Sequence, residues 1–426
     1  MVANAFWIMS EKLIAVFGLI FVTSFVAKYV GPDIFGEIAF ATSIFQITQI
    51  VAQMGGSVII LKRMSSNTHS GVKLMISTTG LRFIIYLVLS IPFIVFTLSR
   101  LGEEGTYFVI ACCLSCLFIT LDVCNIFFDA KLASRINTLI NVLGLTISLM
   151  IRWLIAWLEL PPVWLCLPIV LTGLLPLLMR KIMFSRLAVQ PNITMKNQLR
   201  YARFLFFSGL TFVISSISVA LYTRVSLLGL ELFSGHEMVG IFAVAASLAG
   251  SWSFVFNAFI TSTLPSIFAE TNDAQALDKT AKLITIVILL ALPIFVGVYF
   301  FSPPFIEAFY GREYNKAFMP LLIISVSTLL SALGTISARL IAKYSGYAFL
   351  SKKTLIVLVF SVALNIPLIR FYGIDGAALA TLLTELFSLT FFNYLFRSGL
   401  ILTLHIRVFS SAWHSFSENV GKLRVR

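Results

Sequence analysis

"FSRLAVQPNITMKNQLRYAR", residues 184–203, is the longest basic and polar stretch of this chain. Six apolar runs precede it, at roughly 13–30, 38–60, 74–98, 106–127, 136–157 and 163–183. Six more follow, at roughly 205–229, 239–262, 283–301, 318–341, 354–371 and 377–396. Each has the length of about 17 to 25 residues that a helix needs to cross hydrocarbon. Barrel strands would instead alternate over about ten residues. Six is an even number, so both halves enter the membrane from the same side. A duplication would then be parallel, about an axis along the membrane normal, rather than inverted. The expected fold is an all-α polytopic membrane protein of about 12 transmembrane helices in two six-helix bundles. The bundles are 1–183 and 204–397, joined by the linker 184–203 and followed by a basic tail, 398–426.

Composition agrees with that class. Apolar residues make up 59% of the 426 and charged residues 12%, about half the charged share of a soluble chain. The first run lacks a basic start and a small-residue cleavage site, so it reads as a spanning helix and not a removed leader. "GPDIFG" (31–36) reads as a turn into the next helix, with Gly31-Pro32 breaking the first and Asp33 able to cap the second. With the N-terminus placed in the cytoplasm, 23 of the 31 Lys and Arg fall on the inner side, five outside and three within helices. The acids run the other way, six inside, ten outside and two within helices. This is the positive-inside pattern. The surplus of +13 therefore reports topology and gives no reason to expect nucleic acid.

Several chemistries find no support. "CLSC" at 113–116 has redox spacing but lies mid-helix, and with Cys112, Cys124 and Cys166 it reads as small core packing. The four histidines are scattered and make no metal site. No phosphate-binding loop, dinucleotide fingerprint or hydrolase motif occurs, so no cofactor is expected. After the last run, Ile406, Phe409, Trp413, Phe416, Val420 and Leu423 recur at steps of three and four beside Arg407, Lys422, Arg424 and Arg426. That pattern predicts an amphipathic helix on the inner membrane surface. Internal symmetry shows as "GEIAFATSI" (36–44) against "GIFAVAASL" (240–248), where Gly36/Gly240, Ala39/Ala243, Ala41/Ala245 and Ser43/Ser247 coincide. Small faces of this kind let membrane helices approach closely.

Four stretches resemble a known family: "AKYVGPDIFGEIAFATSIF" (27–45), "LYTRVSLLGLELFSGHEMVGIFAVAASLAGSWSF" (221–254), "FYGREYNKAFMPLLIIS" (309–325) and "LNIPLIRFYGIDGAALATLLTE" (364–385). In order and spacing they are similar to the polysaccharide (O-antigen type) flippases of the multidrug/oligosaccharidyl-lipid/polysaccharide exporter superfamily. The resemblance implies two bundles around a central cavity that opens alternately to each side of a bacterial inner membrane. It implies as cargo an oligosaccharide on an undecaprenyl diphosphate carrier, and as partners membrane lipids, an O-antigen polymerase and a chain-length regulator. One position departs from the pattern. Where many relatives carry an acid two residues after the arginine of "LYTR", this chain has Ser226.

Five charged residues lie well inside the apolar runs, away from their ends: Arg82, Arg152, Arg224, Asp122 and Glu385. At about 1.5 Å per residue, Arg152 and Arg224 lie about 8 Å from outer helix ends and Arg82 about 12 Å from an inner end. Each arginine could bind cargo in a wet cavity, reach the interface, or pair with Asp122 or Glu385. Arginine suits an anionic diphosphate because it is always charged and offers forked donors. Glu385, midway along the twelfth run, and Asp122 are candidates for coupling to a proton or sodium gradient. Three other readings stand beside this one. A drug exporter of the same superfamily would carry an acid in the first helix, and 13–30 has none. A lipid II flippase would add two helices. A polymerase or ligase would need a large outer loop, and the longest here has about sixteen residues.

Overall fold

Bends at single glycines set the course of the longest helices. In the computed structural model, which describes residues 2–98, 103–131, 133–187 and 194–408, α1 (Val2–Gln53) is interrupted only at Gly31 (φ 77°, ψ 171°). A side chain disfavours that conformation. Pro32 then opens the second arm, where its fixed φ suits a helix start and its missing N–H leaves nothing unpaired. There follow α2 (Gly56–Ser66), α3 (Thr68–Leu98), α4 (Glu103–Leu121), α5 (Cys124–Ala130), α6 (Ser134–Trp157), α7 (Cys166–Leu187) and α8 (Met195–Tyr222). Beyond them come α9 (Val225–Ser234), α10 (His236–Ser251), α11 (Ser253–Phe268), α12 (Asp273–Phe309), α13 (Phe318–Lys343), α14 (Tyr347–Leu389) and α15 (Phe391–Tyr394). No strand occurs among the described residues.

Nine helices among the described residues are long and apolar enough to cross a membrane, and the bent pair Ser216–Tyr222 and Val225–Ser234 makes a tenth. Two of these segments are divided by a bend, at Gly31 in one and Gly373 in the other, so the twelve expected crossings are all represented. Five expected runs are divided between α-helices, two of them, 239–262 at Trp252 and 377–396 at Thr390, by a single residue. Left-handed Met54 and Gly55 end α1 inside the run 38–60. Residues 122–123 separate α4 from α5 inside 106–127, and Thr223-Arg224 separates α8 from α9 with a 45° bend inside 205–229.

The chain forms two compact units, 1–241 with 309–313, and 242–308 with 314–426. In the first unit α1 packs on α4 and α6, and α4 on α7, around buried Phe45, Tyr86 and Phe108. The Tyr86 hydroxyl donates to the Cys113 carbonyl at 2.8 Å, which satisfies its one polar group inside this core. All five cysteines are free. The second unit is centred on α13 against α14, with Ile284, Val287 and Ile341 in its core. In both units large apolar side chains such as Ile84, Val88, Phe301 and Val359 lie exposed, as a hydrocarbon solvent permits.

Within the first unit the sequence symmetry has a structural counterpart. Gly235 (φ 80°, ψ 178°) repeats the conformation of Gly31. Next to them, a Cβ on Gly36 would overlap the His236 carbonyl and come within 2.9 Å of the Gly240 amide. A Cβ on Gly240 would overlap the Pro32 carbonyl and come within 3.0 Å of the Gly36 amide. The same offset relates 32 to 236 and 36 to 240, so the contact is reciprocal, as across a local two-fold axis.

Of the tail, residues 400–408 are helical, and Ile401, Leu404 and Val408 join the core of the second unit while Ile406 faces outward. Arg407 pairs with Asp278 at 2.7 Å. The remaining positions of the expected stripe, Phe409 to Leu423, and Lys422, Arg424 and Arg426, lie outside the described residues.

Candidate functional site

Irregular backbone is tolerated at membrane depth only where protein or a wet cavity covers it. In the first unit the helix breaks coincide with cavities. One, of about 420 Å³, is lined by Gln53, Gly55, Ser57, Ser216, Thr223 and Arg224, among others. It touches both the Met54-Gly55 break and the α8–α9 bend. At that bend Arg224 donates from one guanidinium nitrogen to Gln46 Oε1 at 2.6 Å and from the other to Ala220 O at 3.5 Å.

Arg82, on α3, is 2% exposed, and its guanidinium lies against Gly56. Gly56 stands between Gly55 and Ser57, two walls of the Arg224 cavity. A Cβ at 56 would overlap the guanidinium, so glycine is what leaves it room. The Arg82 Nε and one terminal nitrogen have no hydrogen-bond partner among the described residues. No acid pairs with it there either.

A second cavity, of about 400 Å³, opens at the α4–α5 break and shares Gln53 with the first. Asp122 forms a buried ion pair with Arg180, on α7. The other two Arg180 nitrogens donate to Asn137 Oδ1 at 3.1 Å and to Asn141 Oδ1. Asn137 Nδ2 donates in turn to the Asn125 carbonyl at 2.9 Å and to Asp129 Oδ1 at 2.7 Å. Arg152 reaches the same wall, with one nitrogen 3.5 Å from Thr172 Oγ1 and its Nε unpartnered. Sequence reasoning missed Arg180. It stands beside Lys181 at the end of its run and counted as an inner-loop cation. The available signal was Asn137 and Asn141, four apart and so on one helix face, with an acid nearby in the chain.

Glu385 belongs to the second unit, in the arm of α14 that follows Gly373. Its charged neighbour is Lys353 on the preceding arm, not an arginine. Lys353 Nζ donates to the fully buried Asn393 at 2.8 Å. So Arg82 and Arg224 gather around the Gln53–Ser57 break, Asp122 pairs with Arg180 while Arg152 reaches Thr172 of the same cavity wall, and Glu385 has Lys353 as its charged neighbour.

Comparison with known proteins places this geometry in context. The family model described as "Polysaccharide biosynthesis protein" matches residues 1–271. A curated protein of Haloferax volcanii, the "Probable low-salt glycan biosynthesis flippase Agl15", is 26% identical over 192 residues, 44% of this chain and 41% of that protein. The chain thus matches less than half the length of that relative. Among solved structures, the "Lipid II flippase MurJ, inward closed conformation" superposes with a TM-score of 0.72 at 14% identity, covering 96% of this chain and 92% of that one. An inward-facing multidrug resistance MATE family transporter of the MOP superfamily gives 0.69, also at 14% identity, covering 94% and 98%. At such identities the likeness is one of fold.

Proposed function

Because the chain belongs to the polysaccharide biosynthesis protein family, we propose that it is a flippase, moving undecaprenyl-diphosphate-linked oligosaccharide repeat units from the inner to the outer leaflet of a bacterial inner membrane. The cargo carries an anionic diphosphate and a polar glycan across about 30 Å of hydrocarbon. A wet cationic groove lowers that barrier while the lipid tail stays in the bilayer. The observation that carries the reading is Arg82, a buried guanidinium with two idle nitrogens beside the cavity that holds Arg224. Donors left unsatisfied at such depth are costly unless a ligand uses them for part of the cycle. Arg224 and Arg152 extend the positive field, and exchange between two access states carries the cargo across. Both termini face the cytoplasm in this reading. An O-antigen polymerase and a chain-length regulator act on the product outside. Glu385, and secondarily Asp122, couple the cycle to a proton or sodium gradient.

The test is a knockout in the native host, complemented with wild type, Arg82→Ala or Glu385→Gln, followed by a leaflet assay of undecaprenyl-linked sugars. Single repeat units should accumulate at the inner leaflet, and wild type alone should restore full export. Normal arrival of lipid-linked sugar in the knockout would sink the reading and bring cation-coupled drug export forward.

A further inference from the structure

The Asp122 cavity differs in character from the Arg224 cavity, with which it shares Gln53. No acid among the described residues lines the Arg224 cavity, and Arg82 lies against Gly56 at its edge, so that compartment is positive. In the other, Asp122 and Asp129 face Arg180, and Arg152 reaches Thr172 of the wall at 3.5 Å. The acids are matched by arginines and no net charge is left over. What this second compartment presents is hydrogen-bonding capacity. Part of its wall is fixed by its own bonds: every Arg180 nitrogen donates to a neighbouring oxygen, and the Asn137 amide donates twice. Beside that scaffold, Asp122 Oδ1, Asn125 Oδ1 and Arg152 Nε are buried without a partner among the described residues. Asp122 as a whole is only 8% exposed. Ile119 and Pro176 add an apolar flank.

We infer that this cavity is a glycan subsite, which takes the sugar joined to the diphosphate while the adjoining Arg82–Arg224 compartment takes the diphosphate itself. The inference rests on the flippase reading and says where the neutral part of that cargo binds. Sugar hydroxyls donate to Asp122 Oδ1 and Asn125 Oδ1 and accept from amide and hydroxyl donors of the wall. The carbon-bound hydrogens of the ring suit the flank of Ile119 and Pro176. Other occupants fit less well. A diphosphate would set its oxygens against acceptors that already lack donors, in a place with no positive charge to spare. A lone cation would find the acids already balanced by arginines. An apolar molecule would leave the buried acceptors unmatched. The volume of about 400 Å³ lies in the range of small-molecule sites, about 300 to 1,000 Å³. Adjacency adds a constraint that neither cavity carries alone. Diphosphate and first sugar are covalently joined, and a positive and a neutral polar compartment meet here at one residue, Gln53, the last of α1.

The test uses the purified full chain in lipid nanodiscs and two probes. One is the lipid-linked repeat unit extracted from the native host, and the other is undecaprenyl diphosphate, which lacks the glycan. The affinity for each is read from the saturable rise in Tm. Asn125→Ala removes an oxygen that accepts no hydrogen bond and keeps the carbonyl that does, so the fold should hold. It should weaken the repeat-unit lipid about tenfold and leave undecaprenyl diphosphate binding as in wild type. Thr138→Val removes a hydroxyl from the same wall at nearly constant shape. It should act in the same selective direction, and it keeps the question decidable if Asn125→Ala does not fold. Arg82→Met should weaken both probes. If both wall variants left the repeat-unit lipid untouched, or weakened the two probes alike, the glycan subsite would be overturned and a water-filled cavity would remain beside a diphosphate site. That outcome leaves the flippase reading standing. Binding of neither probe to wild type would instead sink the flippase reading, and this subsite with it.

Discussion

Arg180 and Arg82 are buried to nearly the same degree in the same unit, 4% and 2% exposed, yet their surroundings have little in common. Arg180 faces a carboxylate and two amide oxygens that engage all three of its nitrogens. Arg82 faces the bare backbone of Gly56, with two nitrogens idle. A charge in a dry interior is expensive unless it is paired and hydrogen-bonded. For Arg180 the fold itself supplies the compensation. For Arg82 it supplies only space. Depth in the membrane therefore does not separate a structural arginine from one held for a ligand, whereas the inventory of partners does.

The largest effect should come from breaking the satisfied arginine. Asp122→Ala strands the Arg180 guanidinium and should destabilise the protein by about 3 to 5 kcal/mol, read as a fall in the unfolding midpoint in detergent. Replacing both partners by apolar residues, Asp122→Leu with Arg180→Met, should recover most of that loss. A cost under about 1 kcal/mol for the single change would mean that water already reaches the pair, and the contrast with Arg82 would collapse.

Arg82→Met should behave in the opposite way. It removes an uncompensated charge and keeps volume, so stability should stay level or rise, while transport in the leaflet assay should fall at least tenfold. A clear loss of stability would show that Arg82 is structural after all. Gly56→Ala refines the point without touching the charge. The new methyl overlaps the end of a flexible side chain, not backbone, so the guanidinium should move aside at a cost near the low end of the overpacking range of about 1 to 3 kcal/mol. Transport should nevertheless drop toward the Arg82→Met level, because the donors then point elsewhere.

How much of this was legible beforehand follows the same division. The twelve crossings could be read because hydrocarbon thickness imposes a length on apolar runs whatever they pack against. The Gly31 bend could be read because a Gly-Pro pair is local chemistry. The breaks at 54–55, 122–123 and 223–224 could not, since the flanking composition stays apolar and tertiary polar contacts decide where the helix yields. Arg82 stood out from a run with no other charge. Arg180 and Lys353 did not, because each lies where a run meets basic residues and was assigned to a loop. Their partners, Asp122 and Glu385, are on other stretches of chain, and one sequence does not pair them.

The smallest effect belongs to a pair that water already bathes. At the α11–α12 turn, Lys279 Nζ donates to Glu270 Oε2 at 2.7 Å. This bond, with a second from the Asn272 amide, holds the Glu270 carboxyl below the usual glutamate range. A folded value below the unfolded one makes the pair stabilising above the ordinary glutamate pKa of about 4.3, and that contribution disappears as pH falls through the lowered value. Lys279→Ala should consequently lower the midpoint slightly at neutral pH, by the small amount an exposed pair contributes, and the difference from wild type should vanish as pH falls through the lowered glutamate value. High salt should erase even that difference, since exposed pairs are screened. Asp122→Ala should resist salt, because its lost partner was shielded from ions. If both variants responded to salt alike, the membrane-buried pair would be as wet as the surface one, and partner inventory would lose its power to tell the arginines apart.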